Sequence, residues 1–235
     1  MPIVRCPDPV AVASALDDLC RRDGEGLFLF FGSEDPQTGA SWCPDCVTAD
    51  PVLRAACLRL GQLVNQTEVA RDLSLKQPTV HRYLNLLEIS YLLIRLPAYS
   101  VNRTKRLLKS PKLYWGDVGL AMYLAGLNEP TGAHLENLIL LDLMAWKCGR
   151  LQNTEILFWR TMAGEEVDLV IETEGKVLPI EIKSTSRPRI GDAANLLAFQ
   201  NEYGADARTG LLLHNGTAIE WLTPRVLAAP WWKVI

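Results

Sequence analysis

The chain has 235 residues, of which 49% are apolar and 22% charged, a composition that supports a folded core and excludes a disordered chain. No apolar run reaches the roughly 18 residues that a membrane-spanning helix needs, and the first residues lack the pattern of a signal peptide. We therefore expect a cytoplasmic protein without a membrane partner, whose six cysteines are free thiols or a redox pair.

The net charge of −3 is unevenly distributed along the chain. Residues 61–115 contain nine basic and three acidic side chains, whereas residues 1–60 and 116–235 are both acidic overall. Basic residues that cluster in one segment favour contact with phosphate groups. The basic segment therefore predicts a nucleic-acid partner, and the alternative is a solvated basic surface.

The first predicted elements are a helix over 9–22 and a short buried strand over 27–31. The motif WCPDC then places Cys43 and Cys46 after a strand and at the start of a helix. A helix N-terminus stabilises a thiolate, so Cys43 is the candidate nucleophile and Cys46 the candidate resolving thiol. The alternatives are two inert thiols or half of a zinc site, although the sequence lacks the second CxxC that zinc would need.

The stretch FFGSEDPQTGASWCPDCVTADPV resembles the thioredoxin-related family whose active motif is WCPDC. The resemblance covers residues 1–54, about the first half of that fold. It implies thiol-disulfide exchange through Cys43 and Cys46. The two later strands and the cis-proline loop of the complete fold find no counterpart downstream, so we expect a truncated thioredoxin-like segment.

Residues 65–88 have the pattern of a helix-turn-helix. Asn65 or Thr67 is the expected cap of the first helix, and residues 73–75 form the expected turn. A second helix with an apolar face follows, and residues 91–97 then read as a strand that fits a wing.

Polar side chains of the second helix would project toward a DNA groove, as those of a recognition helix do. They are Gln77, Thr79, His81 and Arg82. Basic residues farther along add phosphate-binding capacity, namely Arg103, Lys105, Arg106, Lys109 and Lys112. We therefore expect this segment to bind DNA, and the alternative is a module for packing or dimerisation.

Residues 116–235 predict an α/β domain with the order α-β-β-β-α-β and one more strand. The helices cover 133–148 and about 190–202. The apolar face of the first helix is predicted from Leu135, Leu138, Ile139, Leu141, Leu143 and Trp146. The predicted strands cover 156–160, 166–173, 177–185, 210–214 and 218–222.

Alternating apolar residues determine the register of the two middle strands. Their apolar faces meet on one side of the sheet only if the numbers of paired residues sum to an odd value. A turn centred on Glu174 and Gly175 gives the sum 349, which places Asp168 opposite Glu181, and Glu166 opposite Lys183. Glu-Gly is not the preferred two-residue turn, and a four-residue loop would keep the same odd sum.

Two opposed carboxylates repel each other unless a cation or a proton lies between them. Asp168 and Glu181 are therefore candidate ligands of Mg²⁺, which prefers oxygen ligands and keeps water molecules for catalysis. Lys183 follows Glu181 on the same face and is a candidate for stabilising phosphate charge or activating water. The alternative is a charge ladder on the protein surface.

From about residue 53 to 235 the chain resembles the C-terminal region of bacterial AAA-type ATPases, a region that is similar to PD-(D/E)XK nucleases. The resemblance rests on the segments NQTEVARDLSLKQPTVHRYLNLLE, LLKSPKLYWGDVGLAMYLAG, GAHLENLILLDLMAW, FWRTMAGEEVDLVIE and LPIEIKST. It implies catalytic roles for Asp168, Glu181 and Lys183, and it adds Glu136 of AHLEN as a further catalytic and metal-binding position. The sequence has no GxxxxGK[ST] loop, so we expect no ATP site and interpret the chain as a fusion with a junction near 50–55.

The predicted fold class is α/β, with a PD-(D/E)XK restriction-endonuclease-like domain over 116–235. A winged helix-turn-helix over 55–115 and a truncated thioredoxin-like segment over 1–54 precede it. The predicted function is that of a DNA-binding, metal-dependent nuclease-like module. The alternatives are a non-catalytic DNA-binding or assembly module with a vestigial nuclease site, and a thiol-disulfide oxidoreductase.

Overall fold

The structure, a computed structural model, describes residues 9–21, 37, 44–102, 106 and 109–234. The chain divides into two compact units, Met1–Arg54 and Ala55–Ile235. The strand predicted over 27–31 lies outside the described residues, and so do Cys43, Arg103 and Lys105.

Two helices are described in the N-terminal part of the chain. Helix α1 covers Pro9–Arg21, in agreement with the predicted helix over 9–22. Helix α2 covers Pro44–Cys57. It begins directly after Cys43, so the prediction that a helix starts within the WCPDC motif is confirmed.

The second unit opens with two short helices joined by a tight turn. Helix α3 covers Gln66–Asp72, and the side chain of Asn65 caps it by accepting hydrogen bonds from the backbone N–H groups of the first turn. Ser74 in the turn has a positive φ of 54°. Helix α4 covers Gln77–Ile89 and has a proline in its first turn. The predicted helix pair and its cap are therefore confirmed.

A two-stranded antiparallel sheet follows the helix pair. Strand β1 covers Leu93–Leu96 and strand β2 covers Lys112–Trp115, with Leu93 opposite Trp115 and Leu96 opposite Lys112. All four residues of β2 are buried, including Lys112. A lysine in a fully buried strand needs an internal partner, because an unpaired charge is costly to bury.

Helices α5 and α6 connect the small sheet to a larger one. They cover Val118–Leu124 and Gly132–Cys148. The side chain of Asn137 in α6 is buried, and its amide group is hydrogen-bonded there. It accepts a hydrogen bond of 2.7 Å from the N–H of Trp115 and donates one of 2.8 Å to the C=O of Trp115.

The buried face of α6 differs from the predicted one. Leu138 and Trp146 are exposed, while the buried residues are His134, Asn137, Ile139, Leu140 and Leu143. The helix is apolar around most of its circumference, so its sequence period does not select one face. Its packing partners decide which side is buried, and the predicted face is therefore wrong at these two positions.

The larger sheet has six strands in the part of the chain that the structure describes, in the order β3-β4-β5-β6-β8-β7. Strands β3, β4 and β5 form an antiparallel meander, β6 and β8 add to it in parallel, and β7 pairs antiparallel with β8. The strands cover Thr154–Arg160, Glu166–Thr173, Lys176–Lys183, Gly210–His214, Glu220–Thr223 and Val226–Pro230. The mixed α/β class is therefore confirmed.

The register of the β4–β5 hairpin agrees with the prediction. The paired segment runs from Thr173 opposite Lys176 to Leu169 opposite Ile180, and every pair sums to 349. The turn has two residues, Glu174 and Gly175, with φ angles of 53° and 76°. Two successive positive φ angles are typical of the type I′ turn, whose twist matches that of the strands. The alternative of a four-residue loop is excluded.

The last strand, β8, was not predicted. It is a short apolar run that ends in Pro230, and proline is disfavoured inside a sheet because it cannot donate to the ladder. Here Pro230 is the final residue of the strand. Strand β8 inserts between β6 and β7, so the strand predicted over 218–222 becomes an edge strand at Glu220–Thr223.

One face of the larger sheet packs against helix α7, Ala194–Tyr203. Phe199 of this helix is fully buried and meets the ring of Trp159 edge to face, with ring centroids 5.4 Å apart. Such edge-to-face pairs stabilise beyond their area burial. Among the described residues, none of the helices is both long enough and apolar enough to cross a bilayer.

Candidate functional site

Acidic side chains gather at the open end of the β4–β5 hairpin, away from its turn. We refer to Glu136, Glu166, Asp168 and Glu181 as the carboxylate cluster. Asp168 lies one residue beyond the last strand pair, and its Oδ2 accepts a hydrogen bond of 2.8 Å from the N–H of Ile182. A side chain therefore holds the two strands together where their backbone pairing ends.

Glu181 and Lys183 form an ion pair within strand β5. Nζ of Lys183 lies 2.6 Å from Oε1 of Glu181, and the two side chains are 38% and 3% exposed. The other oxygen of Glu181, Oε2, is buried without a hydrogen-bond partner among the residues that the structure describes. Burial raises the pKa of Glu181, and Glu136 adds to this effect, while Lys183 opposes it.

The predicted juxtaposition of Glu166 and Lys183 lies beyond the paired segment of the hairpin. Glu166 instead contacts Lys112 at 2.5 Å and Arg160 at 3.1 Å. Lys183 turns to Glu181 on its own strand. The backbone register was predicted correctly, but Glu166 finds its partners on β2 and β3, and Lys183 finds its partner on its own strand.

Lys112 supplies the main internal cation of the carboxylate cluster. Its side chain is 2% exposed, and Nζ lies 3.1 Å from Glu136, 2.5 Å from Glu166 and 3.9 Å from Asp168. Burial alone would lower the pKa of Lys112, but the three carboxylates outweigh burial and raise it to about 12. The predicted phosphate contact by Lys112 is therefore wrong, because its ammonium group is enclosed by carboxylates.

The position of Glu136 depends on β2 as well as on its own helix. Besides Lys112, the hydroxyl of Tyr114 donates a hydrogen bond to Glu136. Lys112 and Tyr114 are two residues apart on a strand and so point to the same face. This alternation was the one signal in the sequence that could have linked β2 to an acidic site.

Asp168 is held in an unfavourable electrostatic setting. Burial, together with the negative charges of Glu136 and Glu181, raises the pKa of Asp168 well above its ordinary value. Lys112 and the N–H of Ile182 oppose this effect without cancelling it. A proton or an additional cation therefore stabilises Asp168 in this position.

The chemistry of these side chains fits a hard divalent cation. The carboxylate cluster has four carboxyl groups, and two ammonium groups, those of Lys112 and Lys183, lie within it. The buried oxygen of Glu181, which has no hydrogen-bond partner among the described residues, is an oxygen donor of the kind that Mg²⁺ prefers. Within the described ranges, however, no three His, Cys, Asp or Glu side chains converge closely enough to hold a metal ion as they stand.

The polar residues predicted to contact DNA are presented by helix α4. Gln77, His81 and Arg82 are exposed, and Thr79 is half-buried. Gln77 and His81 both hydrogen-bond to Gln66 of α3 at 3.1 Å, which fixes the polar ends of the two helices to each other. Lys109 is also exposed.

Arg106 has a different role from the predicted one. Its guanidinium group is 6% exposed, lies 2.6 Å from both Glu155 and Glu172, and donates a hydrogen bond of 2.6 Å to the carbonyl oxygen of Ser100. These partners occupy the group, so Arg106 is an internal ion-pair residue and not a phosphate contact. The number of basic residues in the segment could not reveal this internal role, because the carboxylates of Glu155 and Glu172 are distant in the sequence.

The redox motif is described only in part. Cys46 is half-buried in the first turn of α2. Its predicted partner Cys43 lies outside the described residues, so the predicted pair stays a prediction.

Comparison with known families divides the chain into three overlapping segments. Residues 9–69 match the thioredoxin domain of the thioredoxin domain-containing protein 17-like family. Residues 45–131 match a domain of unknown function, DUF8612, and residues 131–234 match a second one, DUF4143. The thioredoxin-like N-terminal segment is therefore confirmed. The whole carboxylate cluster lies in the third segment, whereas Lys112 lies in the second.

The individual proteins that are similar to this chain also match it in separate segments. Uncharacterized proteins of Mycobacterium bovis and Mycobacterium tuberculosis are each 36% identical over 138 residues, which is 55% of this chain and 30% of theirs. Thioredoxin domain-containing protein 17 of Epinephelus coioides is 43% identical over 50 residues, which is 20% of this chain and 41% of that protein. The chain thus combines a segment similar to a thioredoxin domain with one similar to DUF4143, and it spans about a third of the mycobacterial relatives that it matches.

Proposed function

We propose that residues 55–234 form a DNA-binding module with a metal-dependent nuclease site of the PD-(D/E)XK type. The observation that carries the proposal is the meeting of Asp168, Glu181 and Lys183 at the open end of one hairpin, where the buried oxygen of Glu181 lacks a partner within the described residues. Helix α4 and the small sheet that follows it fit a winged helix-turn-helix that docks a duplex.

Asp168, Glu181 and Glu136 are the residues that would hold a divalent ion. When bound, such an ion lowers the pKa of a water ligand and stabilises charge on a phosphodiester. Since no three acidic side chains among the described residues converge as they stand, binding would involve a rotation of at least one of them. The ion would also relieve the repulsion that raises the pKa of Asp168.

Lys183 is the cation of the site that can meet a substrate. Its side chain is 38% exposed, whereas Lys112 is 2% exposed. Its ammonium group, held by Glu181, would stabilise the negative charge that develops on a phosphate oxygen. Removal of Lys183 should therefore slow cleavage more than it weakens metal binding.

Cleavage of supercoiled plasmid by the purified chain in Mg²⁺ tests the catalytic part of the proposal. We expect nicking by the wild type and its loss in Asp168→Asn. The matched control is Glu172→Gln, because Glu172 lies on the same strand and its side chain is also 16% exposed, but it pairs with Arg106 outside the site. Equal activity in wild type and Asp168→Asn would refute the proposal. DNA binding without any cleavage would instead favour the non-catalytic module with a vestigial site.

A second candidate function, thiol-disulfide exchange, rests on the N-terminal segment. Cys46 lies in the first turn of α2, and residues 9–69 match a thioredoxin domain. An insulin-reduction assay tests it: activity should be lost in Cys43→Ser and kept in Cys148→Ser, whose thiol lies at the end of α6. Activity that does not depend on Cys43 would rule this function out.

A further inference from the structure

Lys112 enters the carboxylate cluster from outside the nuclease-like hairpin. It belongs to β2, which pairs with β1 in the small sheet, and it reaches Glu136 of α6 as well as Glu166 and Asp168 of β4. Its contacts therefore join three separate elements. The ring of Phe158, 5.6 Å from Nζ, lies against the same ammonium group.

The two lysines of the site are not equivalent. Lys183 is partly exposed and forms an ion pair with Glu181 on its own strand. Lys112 is almost fully buried and is shared by three carboxylates. A small cation surrounded by several carboxylate oxygens is the arrangement in which proteins also hold Ca²⁺ or Mg²⁺. The ammonium group of Lys112 thus fills a position where a divalent ion could otherwise bind.

We propose that Lys112 is a built-in cation that limits the site to a single divalent ion. The ion would be held by Asp168, Glu181 and Glu136, beside the buried oxygen of Glu181 that has no partner in the described part of the chain. A second ion is excluded from the space between Glu136 and Glu166 because the ammonium group of Lys112 already occupies it. The inference deepens the proposed function and relies on its metal site for the first ion only.

The proposal predicts what happens when the ammonium group is removed. Lys112→Met keeps most of the length of the side chain but leaves Glu136, Glu166 and Asp168 without their shared cation. Calcium should then occupy the vacated position. Titration calorimetry with CaCl₂ is expected to give one bound ion per wild-type chain and two per Lys112→Met chain. At a Ca²⁺ concentration about 100 times the Kd, the extra ion should raise the melting temperature by about 5 °C or more.

Arg160→Met is the matched control, because Arg160 contacts the same Glu166 at 3.1 Å but is 45% exposed. Its loss removes one positive charge from the surface of the cluster and leaves Lys112 in place, so it should not add a binding site. If Lys112→Met does not fold, the double variant Lys112→Met/Glu166→Gln takes its place in the titration. It reduces the repulsion among the carboxylates and keeps Glu136 and Asp168 as ligands for the added ion.

The outcomes separate this inference from the proposed function. An added Ca²⁺ site in the Lys112 variants but not in Arg160→Met supports the built-in cation, even if the wild type cleaves no DNA. An unchanged stoichiometry, or the same gain in Arg160→Met, overturns it, even if the wild type is an active nuclease.

Discussion

The two ends of strand β4 each hold a buried cation, and the two cations are satisfied differently. At the turn end, Arg106 donates from all three guanidinium nitrogens to Glu155, Glu172 and a backbone carbonyl. At the open end, Lys112 is shared among three carboxylates, and Glu181 adds a fourth negative charge nearby.

The difference between the ends supports a structural role for the turn end and the proposed functional role for the open end. A planar guanidinium that meets a carboxylate with two nitrogens gives a complete, directional set of hydrogen bonds. An ammonium group shared by three carboxylates leaves negative charge over, which raises the pKa of Asp168. Proteins keep such unfavourable carboxylates mainly where a ligand or a reaction uses them.

The largest expected effect is at the turn end. Arg106→Met should destabilise the protein by about 3 kcal/mol, because it leaves Glu172 partly buried without its cation. Urea unfolding with and without CaCl₂ measures this loss. Calcium should not restore the stability of Arg106→Met, whereas it should restore that of Lys112→Met. Equal rescue of both variants would remove the distinction between the two ends.

The next effect concerns the pH dependence of stability at the open end. Because the pKa of Asp168 is raised in the folded state above its ordinary 3.8, the folded protein binds this proton more tightly than the unfolded chain does. Stability contributed by this residue is therefore lost as pH rises from about 3.8 through the folded pKa. Asp168→Asn removes the titrating group and keeps an acceptor for the N–H of Ile182.

Unfolding free energies measured from pH 4 to 8 in the presence of EDTA check this sign. Above the folded pKa of Asp168, Asp168→Asn should be more stable than wild type by about 1 kcal/mol. Glu172→Gln should be less stable than wild type at neutral pH, since it loses its negative charge and one of its two hydrogen bonds from Arg106. If both variants shift in the same direction, the two ends do not differ as described.

A smaller loss is expected for Lys183→Met. The ion pair with Glu181 is short, but Lys183 is 38% exposed, so solvent screening reduces its contribution to about 0.5–1 kcal/mol. The same variant should lower the rate of plasmid nicking while leaving the Ca²⁺ affinity within about threefold of wild type. A loss of stability as large as that of Arg106→Met would place Lys183 among the structural cations.

The smallest effect on stability is expected for a cation outside both ends. Arg82 is exposed on α4, so Arg82→Ala should change stability by less than about 0.5 kcal/mol. It should reduce the slope of log affinity for DNA against log salt concentration by about one, as the loss of one phosphate contact does. Arg208→Ala, at an exposed position before β6, is the control and should leave the slope unchanged.

Local patterns in the sequence were enough to predict most of the elements. The cap at Asn65 and the turn between α3 and α4 follow from short-range hydrogen bonding, which neighbouring residues determine. The register of the β4–β5 hairpin follows from the two-residue period and the turn at Glu174 and Gly175. Strand β8 was missed because a short apolar run that ends in proline lacks such a pattern.

The sequence by itself determined the helix pair and the register of the β4–β5 hairpin, since these depend on residues that are close to each other in the sequence. Only the tertiary structure decided what Arg106 and Lys112 do. Arg106 meets carboxylates 49 and 66 residues away, and Lys112 meets Glu136 24 residues away. Whether a basic residue faces solvent or a buried carboxylate depends on such distant contacts, because the desolvation of a charge is decided by everything that folds around it.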